Sequence, residues 1–246
     1  MNTERDKNTA RFLGAAFVFV FAASLLTGVL HASAVGSELF VGGDGISSVM
    51  LSIADNAALM RISILVELVN CVGIVVLASL LYVSLRKVNE SLALVALGWW
   101  MVEAIVLVVS KLGGFALIPL SQEFVEAGAP SASAFQSLGS VLYYGVDRTG
   151  YDLHMLFFCL GALIWYALLF QGKLVPRFLS GWGLAAVFLV TIASVVKLAD
   201  PSIELPIALY VPYIPFELFI GLWLIIRGFE PVQAEAVSAE MTLKQA

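Results

Sequence analysis

The chain reads as an all-α, polytopic membrane bundle of six transmembrane helices, with short amphipathic helices in its outer loops. Three observations carry that reading. Of 246 residues, 61% are hydrophobic and only 13% are charged, against about 25% charged in a soluble domain. The apolar residues gather into six runs, each near the ~20 residues that cross about 30 Å of hydrocarbon. The cations sit at alternate junctions between those runs.

The runs span residues 12–31, 60–84, 92–118, 151–171, 178–198 and 206–227. Backbone groups must be satisfied internally in lipid, so runs of this length predict helices rather than barrel strands. The first run has a basic start and small residues at Ala32-Ser33-Ala34, which is also the pattern of a signal peptide. Phe12–Leu30 exceeds the 7–15 residues of a usual signal core, which favours an uncleaved span.

Between the first and second runs, Ile46, Val49, Met50 and Ile53 recur at helical spacing after a Gly-rich turn at 42–45. After Pro130, the residues Phe135, Leu138, Val141, Leu142 and Gly145 do the same. Both segments predict short amphipathic helices. A helix lying on the membrane interface is the expected form; a lid over an outward-facing cavity is the alternative. Residues 1–229 form one membrane domain, and the polar, Ala-rich segment 230–246 reads as a disordered cytoplasmic tail.

Arg5, Lys7 and Arg11 precede span one, Arg86 and Lys87 join spans two and three, Lys173 and Arg177 join spans four and five, and Arg227 ends span six. All fall on one side, which predicts a cytoplasmic-membrane protein with both termini in the cytoplasm. Glu38, Asp44, Glu123 and Glu126 occupy the opposite loops. No basic patch points to nucleic acid. The bilayer is the expected partner, together with a small molecule, ion or proton; protein partners are not legible.

Three carboxylates lie inside apolar runs: Glu67, Glu103 and Glu217. A charge in hydrocarbon is unfavourable by several kcal/mol, so such residues face the bundle interior and mark ligand or ion sites. Lys111, two turns beyond Glu103, is an expected counter-charge, and Asn70 lies one turn beyond Glu67. His154 and Asp152 begin span four from the outer side. These seven residues are the candidate ligand- or ion-binding set. Structural pairing within the bundle accounts for them equally well. His31 and His154 are the only histidines, and their spacing matches no standard zinc site. Cys71 and Cys159 read as small packing residues. No catalytic set and no cofactor motif is present. Three functions remain open: a transporter or ligand-binding membrane protein, a structural or sensory subunit, and a lipid-acting enzyme built on His154 and Asp152.

Several short motifs carry a resemblance. They are Ala10-Arg11-x-x-Gly14, Ser121-Gln122-Glu123-Phe124 with Gly128-Ala129-Pro130, and Leu174-Val175-Pro176-Arg177. Phe216-Glu217-Leu218, Gly221-Leu222-Trp223-Leu224-Ile225 and Gly228-Phe229 follow in span six. From Ala10 to Phe229 the chain resembles the bacterial family called domain of unknown function 4386. The resemblance implies a six-helix membrane protein and assigns no activity. Members of that family often carry an arginine three residues before the glutamate that Glu103 matches. Trp100 stands there in this chain, so an Arg–Glu pair within span three is absent.

Overall fold

The computed structural model describes residues 3–37, 45–131, 133–200, 203 and 205–230, with side chains from residue 7 onward. The loop acids Glu38 and Asp44, the glycines at 42 and 43, Glu204 and the tail beyond residue 230 lie outside the described residues. Among those described there are eight α-helices: α1 Thr3–Val35, α2 Ile46–Asp55, α3 Ala57–Leu85, α4 Glu90–Glu126, α5 Ala134–Ser140, α6 Thr149–Gly172, α7 Arg177–Ala199 and α8 Tyr213–Ile226. Six helical stretches are long and apolar enough to cross a membrane.

The six spans form a ring. Following the circuit, α1 packs on α3, α3 on α4, α4 on α6, α6 on α7, α7 on α8, and α8 returns to α1. The closing contact is tight because both helices offer glycine. A methyl group on Gly14 would come within 2.5 Å of the Gly221 carbonyl oxygen, and one on Gly221 within 3.0 Å of the Gly14 oxygen. Without a hydrophobic drive between helices in lipid, close backbone approach of this kind is a main source of association. Trp100 uses another small residue in the same way. Its indole occupies the space beside Gly161, and its Nε1 donates to the Phe158 carbonyl at 3.1 Å.

One end of the ring gathers the basic junctions. Val88, after α3, packs on Gly172 at the end of α6. The Glu230 amide donates to the Leu174 carbonyl at 2.8 Å. Asn89 caps α4 there by accepting from the Leu92 amide at 3.0 Å. Lys173 closes α6 in the left-handed region at φ 51°. We call this the basic end.

At the opposite end α4 outruns its neighbours. Its 37 residues extend to about 55 Å, well beyond a ~30 Å hydrocarbon layer. Both short amphipathic helices pack around that projecting part. Val49, Met50 and Ile53 of α2 are fully buried against protein, and Ser52 Oγ donates to the Ala34 carbonyl at 3.1 Å. α2 thus turns its apolar stripe onto the bundle. Gln136 of α5 donates to Ser47 Oγ and ties the two short helices together.

The start of span four also differs from the sequence reading. α5 runs without a break into a π-helical segment, Val141–Arg148, and then into α6. Wide π turns are uncommon and recur at functional sites. The sequence reading places Val141, Leu142 and Gly145 on a short outer helix, separate from a span that starts at residue 151. They lie instead inside one long helix, with Asp147 buried.

Candidate functional site

The packed interior divides into two apolar cores. The larger joins Leu13 and Phe17 of α1 to Leu77 of α3, Trp100 and Leu107 of α4, Cys159 and Trp165 of α6, Val187 of α7, and Phe216 of α8. The smaller joins Ala34 of α1 to Val49 of α2, Met60 and Ile64 of α3, Leu117 of α4, and Tyr143. Between them lies a polar layer. On α1 it holds Thr27 and His31, on α3 Glu67 and Asn70, on α4 Lys111, and on the π-helical segment Asp147. Each helix contributes because its polar residues fall between its last residue in one core and its first in the other.

Two tight sets of contacts make up that layer. Lys111 Nζ donates to Asp147 Oδ1 at 2.9 Å, and His31 Nε2 approaches Asp147 Oδ2 at 3.5 Å. Asn70 Nδ2 donates to Glu67 Oε1 and to Ser24 Oγ, both at 3.0 Å. The charge of Lys111 still acts on Glu67. Its direct partner, however, is Asp147 and not a glutamate. The π-helical geometry is what presents Asp147 to α4, and sequence spacing does not register it.

Glu103 sits below this layer, toward the basic end, and is 4% exposed. Its Oε2 is buried and has no hydrogen-bond partner. No cation stands one turn before it, since Trp100 fills that place and stacks on Phe158 at 5.9 Å.

Glu217 is half-buried and receives the Tyr213 hydroxyl on Oε1 at 2.8 Å. Tyr213 has one proton to give, so Tyr166, whose hydroxyl lies 2.8 Å from it, is the donor in that second bond. A chain Tyr166–Tyr213–Glu217 results. Counted at 1.5 Å per residue from the basic end of each helix, Glu217 stands about 14 Å in, Glu103 about 20 Å, Glu67 about 27 Å and Lys111 about 32 Å. The ionisable groups thus step through the bundle on three helices.

The remaining candidates stand apart. His154 is buried, and its Nδ1 bonds to the Tyr151 carbonyl of its own helix. A carbonyl only accepts, so the ring carries a proton on Nδ1. Asp152 is half-buried and feels the charges of Arg148 and Lys197. Among the described residues no three His, Cys, Asp or Glu side chains cluster in a way that could hold a metal ion. Two open grooves, about 420 and 450 Å³, follow the outer seam of α1 and α3; they are lined by apolar residues such as Phe19, Ala22 and Val69 and do not include the carboxylates.

Sequence reasoning missed three members of the layer: Thr27, His31 and Asp147. For the first two a signal existed. Thr27 and His31 are one turn apart on α1, so they share a face. Asp147 carried no such signal, because its neighbour Arg148 made it look solvated.

Six apolar spans closed around a buried, acidic polar layer define a multi-pass helical membrane protein. Its family follows from the sequence comparison. The chain belongs to the family described as Domain of unknown function (DUF4386), whose model matches residues 12–228. This agrees with the resemblance carried by the Arg11, Gly14 and Gly221 motifs. No curated protein and no solved structure matches the chain.

Proposed function

We propose that this protein is a transporter, or a ligand-binding membrane protein, whose working site is the acidic interior formed by Glu67, Glu103 and Glu217. It acts in the cytoplasmic membrane with its basic end, and so both termini, in the cytoplasm. One observation carries the reading: Glu103 Oε2 is buried in mid-bundle with no hydrogen-bond partner. A purely structural carboxylate would have its acceptors satisfied, because an unpaired buried charge is strongly unfavourable. Intramembrane acids in this position serve proton, ion or ligand traffic. The graded depths of Glu217, Glu103 and Glu67 add support, since transfer through a membrane needs successive stations. The lipid-acting enzyme has weaker support, because His154 is engaged with its own backbone and a catalytic acid–base group must converge on a reacting atom.

The structural reading keeps one specific observation in its favour. Lys111 and Asp147 pair directly and tie α4 to the start of span four. We assign that pair a bracing role and leave the working role to the glutamates.

The test is proton movement in liposomes. The purified protein is reconstituted with a pH-sensitive dye inside, and a membrane potential is imposed. Wild type is expected to carry protons inward faster than empty liposomes. Glu103→Gln, which keeps shape and removes titration, is expected to abolish the flux while unfolding at the wild-type temperature. Wild-type flux equal to that of empty liposomes, or full flux in Glu103→Gln, overturns a proton-coupled site.

A further inference from the structure

The polar layer contains unpaired oxygen atoms of its own, apart from that of Glu103 below it. Asn70 is 2% exposed, and both of its amide hydrogens are placed, toward Glu67 Oε1 and Ser24 Oγ. Its Oδ1 is buried without a partner. Thr27 is 6% exposed, and its Oγ1 also has no partner. That is unlike the usual behaviour of hydroxyls in this protein. Ser79, Ser84, Thr191 and Ser194 each donate to the carbonyl one turn back on their own helix.

Helix register sets these residues at neighbouring levels of α1 and α3. The Ser24–Asn70 bond fixes how antiparallel α1 and α3 pair. One turn onward along α1 is Thr27, and one turn back along α3 is Glu67, so the two come level. The seam of α1 and α3 therefore gathers an amide oxygen, a hydroxyl oxygen and a carboxylate.

We propose that this layer binds a small hard cation, with Asn70 Oδ1, Thr27 Oγ1 and Glu67 as its oxygen ligands. The argument is one of donor and acceptor type. An amide oxygen can only accept, and so can an ionised carboxylate. A proton placed on one carboxylate satisfies one pair of atoms and leaves the other acceptors as they were. A cation satisfies all of them at once. Oxygen-only sets suit alkali-metal, ammonium or alkaline-earth ions, which bind amide, hydroxyl and carboxylate oxygens and not thiolate or imidazole. Lys111, the nearest fixed cation, is held by Asp147 and so does not fill the place. The inference rests on the acidic-site reading above and names its ligand class.

The experiment measures thermal unfolding of the full chain in detergent, followed by its own tryptophans. Ionic strength is held constant with N-methylglucamine chloride, and sodium, potassium, ammonium, magnesium or calcium chloride replaces it in separate titrations. At least one of these ions is expected to raise Tm saturably, by about 5–10 °C at a hundred times its Kd. Which ion does so assigns the charge class. Asn70→Ala, Thr27→Val and Glu67→Gln are each expected to abolish the shift or move its midpoint at least tenfold. Ser79→Ala, which loses a hydroxyl bonded within its own helix, is expected to leave it unchanged. Should Asn70→Ala not fold, the other two carry the test. A wild-type Tm that is the same in all the salts overturns the proposal, and so does an unchanged midpoint in all three ligand variants. Proton flux without a cation shift sinks the cation site alone, whereas absence of both sinks the acidic-site reading as well.

Discussion

Lys111 on α4 donates to Asp147 at 2.9 Å, with both side chains withdrawn from the surface. His31 of α1 reaches the other oxygen of the same carboxylate. Asp147 thus joins three separate stretches of chain at the boundary between the two apolar cores.

Removing one partner of such a pair leaves an uncompensated buried charge, which costs about 3–5 kcal/mol. Lys111→Met and Asp147→Leu alone are each expected to lower the unfolding temperature sharply. The double variant removes both charges and is expected to recover most of the loss, because two apolar side chains fit a dry interior. Thermal melts of the three variants in one detergent check this. A double variant as unstable as the sum of its singles would show that Asp147 has a second essential partner.

Glu217 and Tyr213 allow a cleaner separation of charge from shape. Glu217→Gln keeps an oxygen acceptor for the Tyr213 hydroxyl, so stability should stay close to wild type. Glu217→Leu leaves that hydroxyl without its acceptor, at a cost of about 1–3 kcal/mol. If Glu217 is a proton station, the Gln variant loses flux although it remains folded. Normal flux and normal stability in both variants would remove Glu217 from the site.

The α1–α8 crossing is expected to tolerate no added volume. Gly14→Ala or Gly221→Ala places a methyl group against backbone atoms that cannot rotate aside, so the helices must separate. Overpacking of this kind costs about 1–3 kcal/mol. A fall in Tm for both variants, with no further fall in the double variant, is the expected result of one shared contact.

Orientation is checked with single cysteines on exposed residues at opposite ends. Lys87→Cys, at the basic end, is expected to resist an impermeant thiol reagent in intact cells and to react after lysis. Glu126→Cys is expected to react in both. The native Cys71 and Cys159 are buried and give little background. The opposite pattern would invert the topology.

The spans were legible because apolar length and the alternation of Arg and Lys are strong, local signals. The short helices were legible too, from the spacing of Val49, Met50 and Ile53. What covers them was not, since a stripe has the same spacing whether it meets lipid or protein. Asp147 was lost for a related reason. Nothing in the spacing of Asp147 and Arg148 tells that a π-helical segment carries one of them into the bundle. The partner of Lys111 was equally hidden, because pairing between helices depends on rotation about each axis and leaves no trace in spacing. The carboxylates Glu67, Glu103 and Glu217 stood out from the sequence alone. The buried, partnerless oxygen atoms of Asn70 and Thr27 did not.

The ring has a consequence for biogenesis. Gly14 lies in α1, and the surface that seals it lies in α8, five spans later in synthesis. During translation α1 can dock on α3, yet its glycine face stays uncovered until α8 leaves the insertion machinery. A chain halted after α7 would display an unsealed, small-residue surface in the membrane. That surface distinguishes an unfinished molecule from a finished one, in which α8 covers it.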